Sequence, residues 1–101
     1  MRFVFTLCLA VTAIFSGAVQ ADVAAGQSAY ASRGCIGCHG PAGVSAATTY
    51  PSLKGRDADF IRKNLTDYRS GARKNAVMNA MAAGLSDVDI RNLADYIDSL
   101  K

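Results

Sequence analysis

A chain of 101 residues, 50% hydrophobic and 19% charged, has material for one modest domain, and its formal charge of +3 is too small to imply nucleic acid or an anionic membrane as partner. It contains three cysteines, one histidine and no tryptophan, so any metal or redox chemistry must draw on very few side chains.

The first residues read as a targeting segment. Arg2 precedes an apolar run from Phe3 to Phe15, and Ala18-Val19-Gln20-Ala21 places small residues where a signal peptidase reads them. The apolar core is too short for a membrane anchor, since a span needs about 20 such residues. Residues 1–21 are therefore expected to be a secretory signal peptide cleaved before Asp22. Cys8 sits within that core behind Leu7 rather than a small residue, so it is not a lipid-anchor site and leaves with the signal. Residues 22–101 then form a single domain with a formal charge of about +2. Export places it outside the cytosol, in the periplasm, where an unprotected cysteine pair tends to oxidise. A domain this small is marginal without a staple, metal or cofactor.

Strand signals are nearly absent, and an all-α domain is expected. The first helix runs from about Val23 to Ser32, with Ala24, Gln27 and Tyr30 at helical spacing, and breaks at Gly34. Next comes RGCIGCHGPAG, residues 33–43, with Cys35, Cys38 and His39 in one short stretch. A second helix follows Asp57, a good N-cap, and carries Phe60, Ile61, Leu65 and Tyr68 before stopping at Gly71. A third follows Ser86, another N-cap, with Asp87 and Asp89 in its first turn, where the helix dipole favours acids. Its apolar face is Ile90, Leu93, Ala94, Ile97 and Leu100. The two long connections, roughly 40–56 and 72–85, are uncommon in a small domain unless they wrap something.

The Cys-Cys-His cluster admits four readings. Structural zinc needs four ligands, and no second pair exists to complete them. A thioredoxin-like redox pair needs a strand before the motif and a sheet around it. A plain disulfide leaves His39 and the long connections without a role. Covalent haem attachment accounts for all of them. Cysteines three apart lie on one side of a helical turn, where each can bond one vinyl group of the porphyrin. The next residue, His39, can then ligate the iron.

With these residues the chain resembles a class I cytochrome c, close to the small bacterial c(553) proteins and to each half of the dihaem c(4) proteins. The resemblance spans nearly all of residues 22–101. It implies the class I fold, with three main helices and long loops wrapped around one covalently bound haem c. Gly26 and Tyr30 match positions where the family's first helix crosses the last, which carries Leu93 and Tyr96. Pro51-Ser52-Leu53-Lys54-Gly55 matches a family turn whose proline carbonyl accepts the N–H of the ligating imidazole, a contact that orients the ring and raises its basicity. That role falls to Pro51. The sixth iron ligand is a methionine, and the spacing of Met78 and Met81 does not choose between them. The family's order of Arg-Lys, three residues, ligating Met, then Leu-Ser-Asp fits Arg73-Lys74, Met78 and Leu85-Ser86-Asp87. The resemblance thus implies Met78, with Met81 as the alternative.

Axial ligation by His39 and Met78 leaves no open position for substrate, so outer-sphere electron transfer is expected rather than catalysis. The reading is a soluble, monomeric periplasmic carrier that docks transiently with redox partner proteins and neither binds nucleic acid nor stays in a membrane. Two other functions remain open: a haem subunit of a larger oxidoreductase, and a ligand-binding sensor haem. Lys54, Arg56, Arg62, Lys63, Arg69, Arg73 and Lys74 crowd the middle, while Asp87, Asp89, Asp95 and Asp98 load the last helix. These are ordinary solvated faces or a charge dipole that steers an acidic partner.

Overall fold

The computed structural model describes residues 22–101, and the expected signal segment, residues 1–21, lies outside the described residues. Five helices follow in order: α1 (Val23–Ser32), α2 (Cys35–His39), α3 (Ala58–Ser70), α4 (Ala76–Ala83) and α5 (Asp87–Asp98), with a 3-10 turn at Pro41–Gly43. Among the described residues there is no strand.

The three expected helices start at side-chain caps. Asp22 accepts the backbone N–H of Ala25 at 2.8 Å, and Asp57 accepts that of Phe60 at 2.8 Å. Ser86 and Asp89 form a full capping box: Ser86 Oγ accepts the Asp89 N–H, and the Asp89 carboxylate accepts the Ser86 N–H, both at 3.0 Å. Each satisfied N–H is one that helix geometry would otherwise leave without a partner.

The second long connection is not irregular throughout. AVMNAMAA, rich in good helix formers, becomes α4, with Asn75 capping the N–H of Met78 at 3.0 Å. The three main helices are thus accompanied by two short ones, and the proposed iron-binding methionine sits on one of them.

The core lies where α1 and α3 pack on α5. Tyr30, Ile61, Ile90, Leu93, Ala94, Tyr96 and Ile97 are all buried there, with Ala82 and Leu85. Burying side chains such as Leu93 and Ile97 stabilises the fold by about 1.5–3 kcal/mol each. The rings of Tyr30 and Tyr96 meet at 5.5 Å between centroids, tilted by 57°. Two arginines hold the start of α5 from either side. Arg33 donates to Gly84 O and the Asp89 carboxylate, each at 3.2 Å; Arg69 donates to Leu85 O at 3.1 Å and the Asp87 carboxylate at 2.7 Å. The cations of the middle segment are therefore partly paired: Arg69 with Asp87, and Arg62 and Lys63 with Asp59 and Asp67 of their own helix.

Candidate functional site

Helix α2 is one turn long and carries the motif. Its five residues place Cys35 and Cys38 on one side, and both are half-buried free thiols. Burial pushes the Cys35 thiol up, so it stays protonated near neutral pH. A redox-active pair needs the opposite, a thiolate held at low pKa. Among the described residues no three His, Cys, Asp or Glu side chains converge to hold a metal ion.

The chain turns sharply after His39. Gly40 has φ of 82°, and a Cβ there would lie 1.8 Å from Val44 O, so only glycine permits the return. Its carbonyl accepts the buried Tyr30 hydroxyl at 2.6 Å, tying the end of α2 to α1. Burial pushes the Tyr30 pKa up to about 12, which keeps that hydroxyl neutral and donating.

Past the 3-10 turn, the first long connection folds back on itself. Gly43 O accepts Leu53 N at 2.7 Å and Lys54 N at 3.1 Å, while Ser45 N donates to Ser52 Oγ at 2.9 Å. This folding brings Pro51 O to 2.8 Å from His39 Nδ1. A carbonyl can only accept, so Nδ1 carries the proton. Nε2 then keeps the lone pair that can bind a metal.

All six residues singled out from the sequence line one cavity of about 420 Å³: Cys35, Cys38, His39, Pro51, Met78 and Met81. That size falls in the range of pockets for small molecules and cofactors. Leu53, Phe60, Ile61, Leu65, Leu93 and Ile97 supply apolar walls. Met78 is half-buried, whereas Met81 is 39% exposed and its methyl group reaches back toward Gly34 at the start of α2.

Sequence reasoning missed the polar part of the wall. Arg56 and Arg73 line the cavity, each held over an aromatic ring: Arg56 lies 4.7 Å from the Phe60 centroid and Arg73 5.0 Å from that of Tyr68. Neither pairs with a carboxylate among the described residues. Arg56 stands just before the Asp57 cap, where the chain's entry into α3 decides its contact with Phe60, and the Arg73 contact depends on how the 71–75 loop folds.

The residues present fit a haem. Two free thiols, an imidazole with a defined proton and a thioether face an apolar cavity, and two guanidinium groups with no carboxylate partner among the described residues offer cations to the propionates that haem carries.

Comparisons with known proteins agree with this reading. The family model described as Cytochrome c matches residues 23–101. The chain is 41% identical over 80 residues to cytochrome c4 of Pseudomonas aeruginosa, covering 74% of this chain but 40% of that protein. It is 41% identical over 81 residues to cytochrome c-554(548) of Halomonas halodenitrificans, covering 77% of this chain and 95% of that one. The crystal structure of reduced recombinant cytochrome c4 from Pseudomonas stutzeri superposes with a TM-score of 0.70 at 35% identity, covering 78% of this chain and 48% of that chain. The chain thus spans half or less of its c4 relatives and nearly the full length of the c-554(548) protein. Matched by its family from the first helix to the last residue, the chain belongs to the cytochrome c family, whose group is covalently bound haem c.

Proposed function

We propose that this chain is a periplasmic one-electron carrier: residues 1–21 are removed, Cys35 and Cys38 hold one haem c through thioethers, and His39 and Met78 are its axial ligands. The observation that carries this is the meeting of both thiols, the oriented imidazole and Met78 on one apolar cavity. When bound, the group supplies cycling between ferric and ferrous iron.

The chain's own residues set the conditions. The Pro51 carbonyl holds the His39 proton on Nδ1, which orients the ring and makes the other nitrogen a better ligand. A thioether at the sixth position favours ferrous iron and raises the potential. With His39 and Met78 both holding the iron, no coordination site would be left for substrate, which favours electron transfer over catalysis. Met81, more exposed and turned toward Gly34, would pack beside the group rather than bind iron.

Docking with a redox partner is brief, as suits a carrier that must release after each transfer. No helix among the described residues is long and apolar enough to cross a membrane. The test is the purified protein's visible spectrum with its native mass. A carrier shows the weak far-red band of ferric iron bound to methionine and the mass of a monomer. A spectrum of open-site iron, or co-purification in a larger enzyme, overturns it.

A further inference from the structure

Asn79 directly follows the proposed iron ligand, and its single side-chain amide makes three hydrogen bonds. Nδ2 donates to Tyr68 O at 2.8 Å and to Arg73 O at 2.9 Å, while Oδ1 accepts the backbone N–H of Asn75 at 2.9 Å. Tyr68 O is one of the last four carbonyls of α3; it also accepts the N–H of the C-cap Gly71, at a longer 3.3 Å. Asn75 is the residue whose own side chain caps the N–H of Met78 at 3.0 Å. One amide therefore closes the end of α3, the 71–75 loop and the first turn of α4 into a ring, and Met78 lies inside that ring.

Helix α4 packs along α3, but it is short and shallowly seated. It has eight residues, too few to be stable alone, and Ala82 is its one buried side chain; Val77 is 58% exposed and Met81 39%. Methionine has three rotatable bonds and adapts readily to its surroundings. A thioether on an unanchored turn would leave the iron often.

We propose that Asn79 is the positioning residue of the sixth iron ligand: its amide latches α4 to the end of α3 and so keeps the Met78 sulfur on the iron. This rests on the reading that Met78 is that ligand. Donation to two carbonyls is the essential part, because the Asn75 N–H alone could donate to any acceptor oxygen.

The test uses the ferric holoprotein, with cyanide as the probe that enters only when the sulfur leaves. Asn79→Ala should bind cyanide about tenfold faster or more and show a weakened far-red band. Asn79→Asp, nearly the same shape, turns both donors into acceptors facing carbonyls and should do the same. Asn92→Ala removes an amide on α5, outside the residues that line the cavity and without touching these three bonds, and should change neither readout. If Asn79→Ala and Asn79→Asp lower the melting temperature yet keep the band and the cyanide rate, the residue is merely structural and the proposal is overturned. Should neither variant fold, the wild-type ferrous protein decides: the Asn79 side-chain amide protons should be protected from solvent exchange, and free exchange overturns the latch. Met78→Ala separates the two levels. Loss of the band there, with no effect at Asn79, overturns only the latch; retention of the band overturns the ligand assignment and the latch with it.

Discussion

A Cβ placed on Gly26 would lie 2.0 Å from the carbonyl oxygen of Asn92, so α1 and α5 cross with their backbones in direct contact. The neighbouring atoms offer no escape, since the Asn92 carbonyl carbon is 2.6 Å away and Tyr96 Cβ 2.8 Å. Gly26→Ala must push the helices apart and loosen the Tyr30–Tyr96 contact. Overpacking of this kind costs about 1–3 kcal/mol, and the holoprotein should melt roughly 5 °C lower or more by circular dichroism. An unchanged melting temperature would mean the crossing is looser than the structure has it.

Mass spectrometry of the purified protein should give the 22–101 polypeptide plus one haem that acid-acetone does not extract. Cys35→Ala with Cys38→Ala should give a largely unfolded chain by circular dichroism. The cavity walls, including Leu53, Leu65 and Met78, have no packing partner across the 420 Å³ space without the group. Extractable haem, bound zinc, or a cooperatively folded apo-chain would contradict this.

Met78→Ala should abolish the far-red band, lower the reduction potential and let cyanide or carbon monoxide bind readily, because water, hydroxide or a stray lysine replaces the thioether. Met81→Ala should do none of these. It removes a side chain that is 39% exposed and reaches toward Gly34, so a stability loss of at most about 1–3 kcal/mol is expected. The reverse outcome would move the ligand to Met81. If both variants kept the band, methionine ligation itself would be wrong.

Asp89 gives the fold a pH dependence. The backbone N–H of Ser86, then its hydroxyl and the Arg33 charge, hold the Asp89 carboxyl below the usual carboxylate range. The folded chain thus prefers the ionised form more than the unfolded chain does. The stabilisation is complete above the unfolded pKa of about 3.9 and fades as pH falls through the lower folded value. Asp89→Ala removes half of the capping box and the ion pair to Arg33, and should lower the melting temperature at pH 7 by about 4–8 °C. Melting curves recorded below about pH 4 should show the gap between variant and wild type narrowing. A gap that is constant with pH would assign the loss to packing instead of charge.

Interactions that span three or four residues were open to reading from the chain alone. The caps at Asp57 and Ser86, the buried face Ile90, Leu93, Ala94 and Ile97, and the Cys35-Cys38-His39 spacing all depend on helix geometry, which is the same wherever the helix ends up. Helix α4 was less legible, because its alanine-rich stretch has no strong apolar period and its start depends on Asn75 turning back to cap Met78. The i,i+4 pair Asn75 and Asn79 was a local signal of that turn. Its partners at Tyr68 and Arg73 were not, since they require the end of α3 to lie beside α4.

The sequence by itself determined the helical class, the haem-attachment motif and the pair of methionines between which the proposed sixth ligand is chosen, because each rests on residue chemistry or on spacing along the chain. The tertiary structure alone decided which groups meet across it. It brought Pro51 O to His39 over 12 positions, Arg33 to Asp89 over 56 and the Gly26 backbone against Asn92, and it turned Met81 toward Gly34. Such meetings follow from how five helices settle around one cavity, and that register is set by the whole core at once rather than by any stretch of neighbouring residues.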